Sequence, residues 1–310
     1  YGSKPNDPSA RKIGSYLMWV AITAACITSS MFLSALAPNL LALALVKSTV
    51  GINISWGNWF IGFLPVGILL ILTMPLLAYI FYPPEVKFND EVPRWASAEL
   101  VKLGRLTRNE ILLLVFVCCA LAMWIFAAAV IEPALAALLI IGLMLWTGVL
   151  EWNDITSNKP AWNTFFWFAT LVALANGLST TGFIAWLGKE GGILMSGVSP
   201  TTATILIVVA FYLLHYLFAS STAHTTALLP AALTIASTIP GMNMQVFCML
   251  MVTSLGVMGI ITPYGTGPSP IYYGSGYLPT KDYWRLGTIF GAIFLAALLL
   301  IGYPWMAMMF

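Results

Sequence analysis

The sequence predicts an all-α protein that crosses a membrane several times. Of its 310 residues, 60% are hydrophobic and only 8% are charged, whereas a soluble domain is roughly 45–50% apolar and about 25% charged. Several apolar runs reach the ~20 residues that a helix needs to cross a bilayer. A water-soluble fold could not hide this much apolar surface, so the composition excludes a soluble domain.

Hydropathy predicts eight helical runs. Their bounds are Ile13 to Val46, Trp59 to Phe81, Ile111 to Ile131, Ala134 to Leu150, Ala161 to Leu187, Thr201 to Ser237, Met244 to Gly276 and Leu286 to Met308. Three of these runs are longer than one crossing needs, and small, polar or proline residues interrupt each of them near its middle. The interruptions are Ser34 to Asn39 (SALAPN), Ser220 to Thr226 (SSTAHTT) and Thr262 to Pro270 (TPYGTGPSP).

These interruptions are the first place to look for a site. Helix breaks at membrane depth free backbone groups that lipid cannot satisfy, so they persist where they are buried in protein or line a watery cavity. A simple proline kink is the alternative for Pro38 or Pro268 taken singly. Two of the breaks share a small-x-small-Pro-polar pattern, Ala35 to Asn39 and Gly265 to Ser269. Corresponding interrupted segments in two halves indicate a transporter whose binding site lies at the interface of inverted repeats.

The distribution of basic residues favours a topology in which Thr201 to Ser237 form a re-entrant hairpin with its tip at Ser220 to Thr222. Eleven of the 13 Lys and Arg then lie on the side where the chain begins, and only Lys47 and Lys189 lie opposite. Cytoplasmic loops carry most basic residues, so the first side is predicted to be cytoplasmic. A hairpin that crossed the membrane would reduce this split to nine against four.

A site in the second half of the chain must bind without charged side chains, because no Asp, Glu, Lys or Arg lies between Glu190 and Lys281. The N-terminus of a half-helix carries about +0.5 charge and unpaired N–H groups, and SSTAHTT has Ser and Thr at natural cap positions, which predicts an anion cradle. From the other side, Gly265 and Gly267 would let the backbone approach closely and Thr266 would offer a hydroxyl. The alternative is that these hydroxyls bond only to their own helix, as is usual in membranes.

Two other functions are open from the residues alone. His215 and His224 leave room for an intramembrane enzyme, although no acidic residue or metal-ligand set lies nearby and His215 reads as a packed core histidine. A passive channel would require rings of charge or backbone filters. The four cysteines lie in apolar runs without metal-like spacing, which predicts buried small hydrophobes and neither a disulfide nor a zinc site.

The strings SSTAHTTALLP and TPYGTGPSPIYYGSGYLPTKDYWRLG resemble the second half of the divalent anion/sodium symporter family. Within it they are most similar to the branch of bacterial citrate/succinate and tartrate/succinate antiporters and plastid 2-oxoglutarate/malate translocators. The resemblance runs over essentially all 310 residues. It implies two re-entrant hairpins with Ser-Asn-Thr signatures at their tips, and two unwound helices that complete a substrate site.

The resemblance assigns candidate substrate-binding residues position by position. They are Ser220, Ser221 and Thr222 at the hairpin tip, Gly265, Thr266, Gly267 and Pro268 in one unwound helix, and Ala35, Leu36, Ala37 and Pro38 in the other. Ser221 stands where the symporters have Asn, whose side-chain carbonyl helps to hold sodium, so this difference favours anion exchange. The first hairpin signature is not in this chain and would lie before Tyr1.

The resemblance implies a secondary transporter of di- or tricarboxylates in the bacterial inner membrane, working as a homodimer by alternating access. Antiport is expected, with sodium-coupled symport as the alternative. No enzymatic activity, metal, prosthetic group or nucleic-acid partner is implied; the partners are the carboxylate and the lipid bilayer. Citrate, tartrate, malate, succinate and 2-oxoglutarate all stay open as substrates, because hydroxyl and amide cradles tolerate each of them.

Four segments are predicted from this reading. The transport part comprises residues 1–58, with the first broken helix and a connector, and residues 191–280, with the hairpin and the second broken helix. The scaffold comprises residues 59–190, with a cytoplasmic loop at 83–109, and residues 281–310, which form a C-terminal helix.

Overall fold

The computed structural model describes residues 2–87, 91–127, 130–195 and 197–310, and the regular secondary structure within them is helical; residues 88–90 of the predicted loop lie outside the described residues. The helices are α1 (Gly14–Met31), α2 (Ala37–Val50), α3 (Trp56–Phe81), α4 (Glu91–Leu103), α5 (Arg108–Phe126), α6 (Pro133–Thr147), α7 (Trp152–Thr156), α8 (Lys159–Thr180), α9 (Phe183–Leu194), α10 (Pro200–Leu214), α11 (Ser221–Ser237), α12 (Met244–Val257), α13 (Ser269–Gly274), α14 (Thr280–Ala297) and α15 (Tyr303–Met309). A π-helical turn joins α14 to α15. Six helical stretches of the described part are long and apolar enough to cross a membrane. The prediction of an all-α polytopic membrane protein is confirmed.

Packing divides the chain into two units. Unit one contains Tyr1–Ile54, Asn58–Glu85 and Phe168–Phe310, and unit two contains Ser55–Gly57 and Val86–Trp167. Helices α3 and α14, which the sequence assigned to a scaffold, thus pack within the same unit as both broken helices. Packing is distinct from movement, so the division into transport part and scaffold stays a prediction.

Two predicted breaks separate consecutive helices of unit one. The first lies between Met31, the last residue of α1, and Ala37, the first of α2. The second lies between Val257 at the end of α12 and Ser269 at the start of α13. A short 3₁₀ turn occupies part of each gap. Both broken helices are therefore confirmed.

The third break is the tip of a hairpin formed by α10 and α11. After α10 the chain makes a 3₁₀ turn that ends at Leu217, and α11 begins at Ser221. The far ends of the two arms lie together, since the Thr204 hydroxyl donates a hydrogen bond to Met242 Sδ at 3.1 Å. The chain therefore enters and leaves this element at the same end, which agrees with a hairpin and not with one continuous crossing; that the hairpin is re-entrant stays a prediction.

The interruption in the hairpin is nevertheless shorter than the predicted Ser220 to Thr226. Ser220 has extended backbone and its hydroxyl accepts the Thr222 N–H at 3.2 Å, which starts the helix at the next residue. The hydroxyls of Thr225 and Thr226 donate to carbonyls four residues back, at 2.7 and 2.8 Å. These two threonines are therefore ordinary helical residues with back-bonded side chains.

A hydrogen-bonded network joins three elements at one end of unit one. The Arg11 guanidinium lies over the Tyr82 ring, 3.7 Å from its centroid, and the Tyr82 hydroxyl donates to Asp282 at 2.7 Å. The Ser15 hydroxyl donates to the Tyr277 carbonyl at 2.7 Å. The beginnings of α1 and α14 and the end of α3 therefore share one end of the unit, in agreement with the side that the basic residues predict for each of them.

The predicted run Ala161 to Leu187 is two helices. Between α8 and α9 the chain turns at Gly182, whose φ of +78° lies in the left-handed region that favours glycine. Apolar residues continue on both sides of this turn, so hydropathy alone does not show it.

Helix α9 contacts α11 through a face of glycines, Gly188, Gly191 and Gly192. A Cβ atom at each of them would overlap the side chains of Thr234, Ile235 and Thr238, respectively. The absence of side chains on this face lets the two helices pack closely.

The re-entrant hairpin predicts opposite accessibility for the two ends of unit one. In a background without the native cysteines, a Thr238→Cys variant should react with an impermeant thiol reagent from outside, and Lys281→Cys only from the cytoplasm. Both positions are exposed. They suit the test better than the neighbouring Gly241, which has a φ of +79°, and Asp282, which accepts the Tyr82 hydrogen bond. Labelling of both cysteines from one side would contradict the topology.

Candidate functional site

The hairpin tip lies against the second unwound segment. The Ser221 N–H donates to the Gly265 carbonyl at 3.0 Å. This bond brings together two of the three groups of residues that the sequence assigns to a substrate site. It also uses one of the helix N–H groups that the sequence predicted for an anion, which leaves the hydroxyls as the larger part of the predicted anion cradle.

The three hydroxyls at the tip have different roles. Ser220 Oγ serves as the cap of α11. Ser221 is 3% exposed and Thr222 is half-buried. Across the described ranges, neither of these two hydroxyls has a protein hydrogen-bond partner. Both are therefore available to a carboxylate, beside the positive end of a 17-residue helix.

Thr266 adds a hydroxyl from the unwound segment. Its Oγ1 lies 2.7 Å from Ser269 Oγ, and its methyl group packs on Gly259, where a Cβ would overlap it. Thr266 is 6% exposed. The pair has two protons, one of which lies between the two oxygens, so the Thr266 hydroxyl is free to donate to a carboxylate when Ser269 donates to Thr266.

The two glycines beside Thr266 are present for different reasons. A Cβ at Gly265 would lie 2.5 Å from His215 Nε2 and 2.7 Å from Thr262 Oγ1, so packing within the chain requires this glycine. A Cβ at Gly267 would meet no described atom within 4 Å, and the backbone there is open to approach. Pro268 precedes α13, which has only six residues and is too short to act as a second helix-end anion site.

The four residues assigned to the site from the first unwound segment have no polar side chain. Ala35 ends a 3₁₀ turn, Leu36 is extended, and Ala37 and Pro38 begin α2. Helix α2 packs against α11 of the hairpin. Any contribution of these four residues to a substrate site comes from their backbone, and that contribution stays a prediction.

Two buried histidines behind the tip are a feature that the sequence analysis undervalued. The rings of His215 and His224 meet edge to face with centroids 5.0 Å apart, and both side chains are 0% exposed. Within the described part of the chain, none of their four nitrogens has a hydrogen-bond partner, and the same holds for Thr262 Oγ1. The sequence did contain a signal for this pair, because the two histidines flank a helix break within a stretch that has no Asp, Glu, Lys or Arg.

No group of three or more His, Cys, Asp or Glu that could hold a metal ion occurs among the described residues. Besides His215, the His224 ring contacts the rings of Phe211 and Phe218, whose centroids lie 4.3 and 5.1 Å away. The pair is thus set among aromatic side chains next to the unwound segment.

A capped helical hairpin that meets an unwound segment, in a bundle with six candidate membrane spans among the described residues, fits a polytopic membrane transporter. The chain belongs to the family described as sodium:sulfate symporter transmembrane region, whose model matches residues 1–310. This confirms the family resemblance, and the family is one of transporters and not of enzymes.

Relatives in this family include proteins described as L-tartrate/succinate antiporters. One is from Shigella sonnei (strain Ss046) and another from Escherichia coli (strain K12). Each is 51% identical over 306 residues, which cover 99% of this chain and 63% of the relative. The chain therefore spans less than two thirds of the length of these relatives.

The free hydroxyls predict which substitutions weaken substrate binding. Ser221→Ala and Thr266→Ala should each raise the half-saturating dicarboxylate concentration at least tenfold, because a hydrogen bond to a charged group contributes about 1.5–3 kcal/mol. Ser220→Ala acts on stability: it should lower the midpoint of thermal unfolding, because it removes the N-cap of α11, which contributes about 1 kcal/mol. Thr226→Val, which removes a back-bonded hydroxyl from the same helix, is the matched control. Unchanged kinetics in both Ser221→Ala and Thr266→Ala would refute the site.

The unpaired imidazole nitrogens predict a gain in stability when His224 is replaced. A buried polar group without a partner costs about 1–3 kcal/mol, so His224→Leu should raise the free energy of unfolding by a similar amount. The control is Thr225→Val in the same helix, whose buried hydroxyl is paired and whose loss should not stabilise. Thermal unfolding in detergent measures both, and a lower midpoint for His224→Leu would show that the imidazole has a stabilising partner.

Proposed function

We propose that the protein is a secondary active transporter that exchanges di- or tricarboxylates across the bacterial inner membrane. The observation that carries this proposal is the hairpin tip, where the free hydroxyls of Ser221 and Thr222 meet the unwound segment at Gly265. The L-tartrate/succinate antiporters among the relatives make L-tartrate and succinate the first substrates to test.

The tip suits a carboxylate because it combines neutral donors with a helix N-terminus. Hydrogen bonds from hydroxyl and N–H groups to an ionised acceptor are stronger than those between neutral groups. The helix end adds about half a positive charge without a buried ion. A carboxylate bound there can leave again, since no fixed cationic side chain lies between Glu190 and Lys281 to retain it.

Exchange is favoured over sodium-coupled symport by the residue at the tip. A bound sodium ion needs several fixed oxygen ligands, and Ser221 replaces the Asn carbonyl that the resemblance implies in the symporters. Without a cation, the empty carrier must return a positively polarised site across the membrane, and it does so most easily when loaded with a second dianion. Sodium-coupled symport is the second candidate, because the family description names sodium:sulfate symport.

The proposed mechanism is alternating access in a homodimer. The hairpin and the two broken helices carry the substrate, and the helices of unit two belong to the fixed scaffold. The hydrogen bond between Ser221 and Gly265 keeps the two parts of the site together during this movement.

Transport is expected to be obligate exchange that is independent of sodium. Uptake of labelled succinate into proteoliposomes should require unlabelled dicarboxylate inside, and its rate should be equal in sodium and potassium buffers. Strong uptake into empty vesicles under an inward sodium gradient would instead establish symport. A channel would show no counterflow, and an enzyme would convert the labelled compound.

A further inference from the structure

A polar side chain reaches back towards a carbonyl across each of the two helix breaks of unit one. In the first break, Asn39 Nδ2 donates to the Ser29 carbonyl, ten residues back, at 2.8 Å. In the second, Ser269 Oγ approaches the Gly259 carbonyl, also ten residues back, at 3.5 Å. Asn39 and Ser269 are the polar residues that the repeated sequence pattern aligns. The repeat is therefore present in the hydrogen bonds as well as in the residues.

The second helix after each break adds an aromatic donor. From α3, Trp59 Nε1 donates to the Ser30 carbonyl at 2.9 Å. From α14, the Tyr283 hydroxyl donates to the Thr262 carbonyl at 3.2 Å. Both aromatic side chains are 0% exposed. Lipid offers no hydrogen-bond donor, so these aromatic donors help to satisfy carbonyls at the two breaks.

We infer that Trp59 and Tyr283 are positioning residues for the substrate site: Trp59 holds the last turn of α1, where the first unwound segment begins, and Tyr283 holds the second unwound segment. This inference rests on the proposed function, since it takes the unwound segments as part of the site. Neither residue touches the substrate; each acts through the backbone that it holds.

The connection from Tyr283 to the hairpin tip is short. The Thr262 carbonyl that accepts the Tyr283 hydroxyl also accepts the Gly265 N–H at 3.4 Å. The Gly265 carbonyl in turn accepts the Ser221 N–H at 3.0 Å. The Tyr283 hydroxyl is therefore bonded to one end of the turn from Thr262 to Gly265, and Ser221 is bonded to the other end.

The Tyr283 ring is held by packing that does not involve its hydroxyl. Its ring meets Trp19 of α1 edge to face, with centroids 5.4 Å apart, and Tyr273 at 5.6 Å. A Tyr283→Phe variant should keep these ring contacts and lose the hydrogen bond to Thr262 together with the hydroxyl's interaction with Ser269. The substitution therefore separates the role of the hydroxyl from that of the ring.

The test measures exchange kinetics of the full-length protein in proteoliposomes with succinate as the probe. Tyr283→Phe and Trp59→Phe should each raise the half-saturating succinate concentration about tenfold, with a maximal rate per folded transporter within about twofold of the unmodified protein. The matched control is Tyr273→Phe, whose hydroxyl pairs with Thr280 at the exposed end of α13 and whose kinetics should not change.

A merely structural role would give the opposite pattern, a lower unfolding midpoint and maximal rate with an unchanged half-saturating concentration. That pattern in either variant would overturn the inference. The proposed function fails separately, if the unmodified protein shows no exchange. If the unmodified protein exchanges and Ser221→Ala weakens binding while Tyr283→Phe does not, only the positioning role is refuted.

Discussion

Unpaired backbone groups inside a bilayer cost several kcal/mol each, and the breaks in this bundle free many of them. Their partners come from other helices. The Tyr212 hydroxyl of α10 contacts the carbonyls of both Val257 and Gly291, at 3.0 and 3.1 Å. The Ser30 hydroxyl of α1 accepts the Val257 N–H at 2.9 Å. The backbone groups of one broken helix therefore find their hydrogen-bond partners only when several neighbouring helices are in fixed positions.

This requirement explains why unit one contains more than the hairpin and the broken helices. Helix α3 supplies Trp59, and α14 supplies Tyr283 and accepts Tyr212 through Gly291. Neither helix can separate from the unwound segments without leaving buried polar groups unpaired. The shape of the site is thus a property of the whole unit, and its binding groups can stay neutral because position, rather than charge, makes them effective.

Local composition was enough to predict the main architecture. Proline, glycine and serine located all three breaks, and the placement of Lys and Arg favoured a hairpin over a single crossing. The turn at Gly182 was missed because it lies within a continuous apolar run, where its left-handed φ leaves no hydropathy signal. The start of α11 at Ser221 was placed too late because a run of hydroxyl residues reads as a break even where each side chain bonds to its own helix.

The details of the site depended on contacts between distant residues and could not be predicted. Gly265 was expected to let the backbone approach a ligand, yet the atoms that a Cβ there would meet belong to His215 and Thr262. The Trp59 indole is fully buried and donates to the Ser30 carbonyl, a contact between residues 29 positions apart. Periodicity identifies which residues are apolar, but not which carbonyl a buried donor reaches.

The glycine face of α9 reverses an ordinary rule of helix design. In most helices a Gly→Ala change is favourable by about 1 kcal/mol, because it reduces the entropy of the unfolded chain. At Gly188, Gly191 and Gly192 the added methyl would overlap α11, and overpacking of this kind costs about 1–3 kcal/mol. Consensus or propensity-based stabilisation would therefore weaken the protein at these three positions, although each lies in the interior of a regular helix.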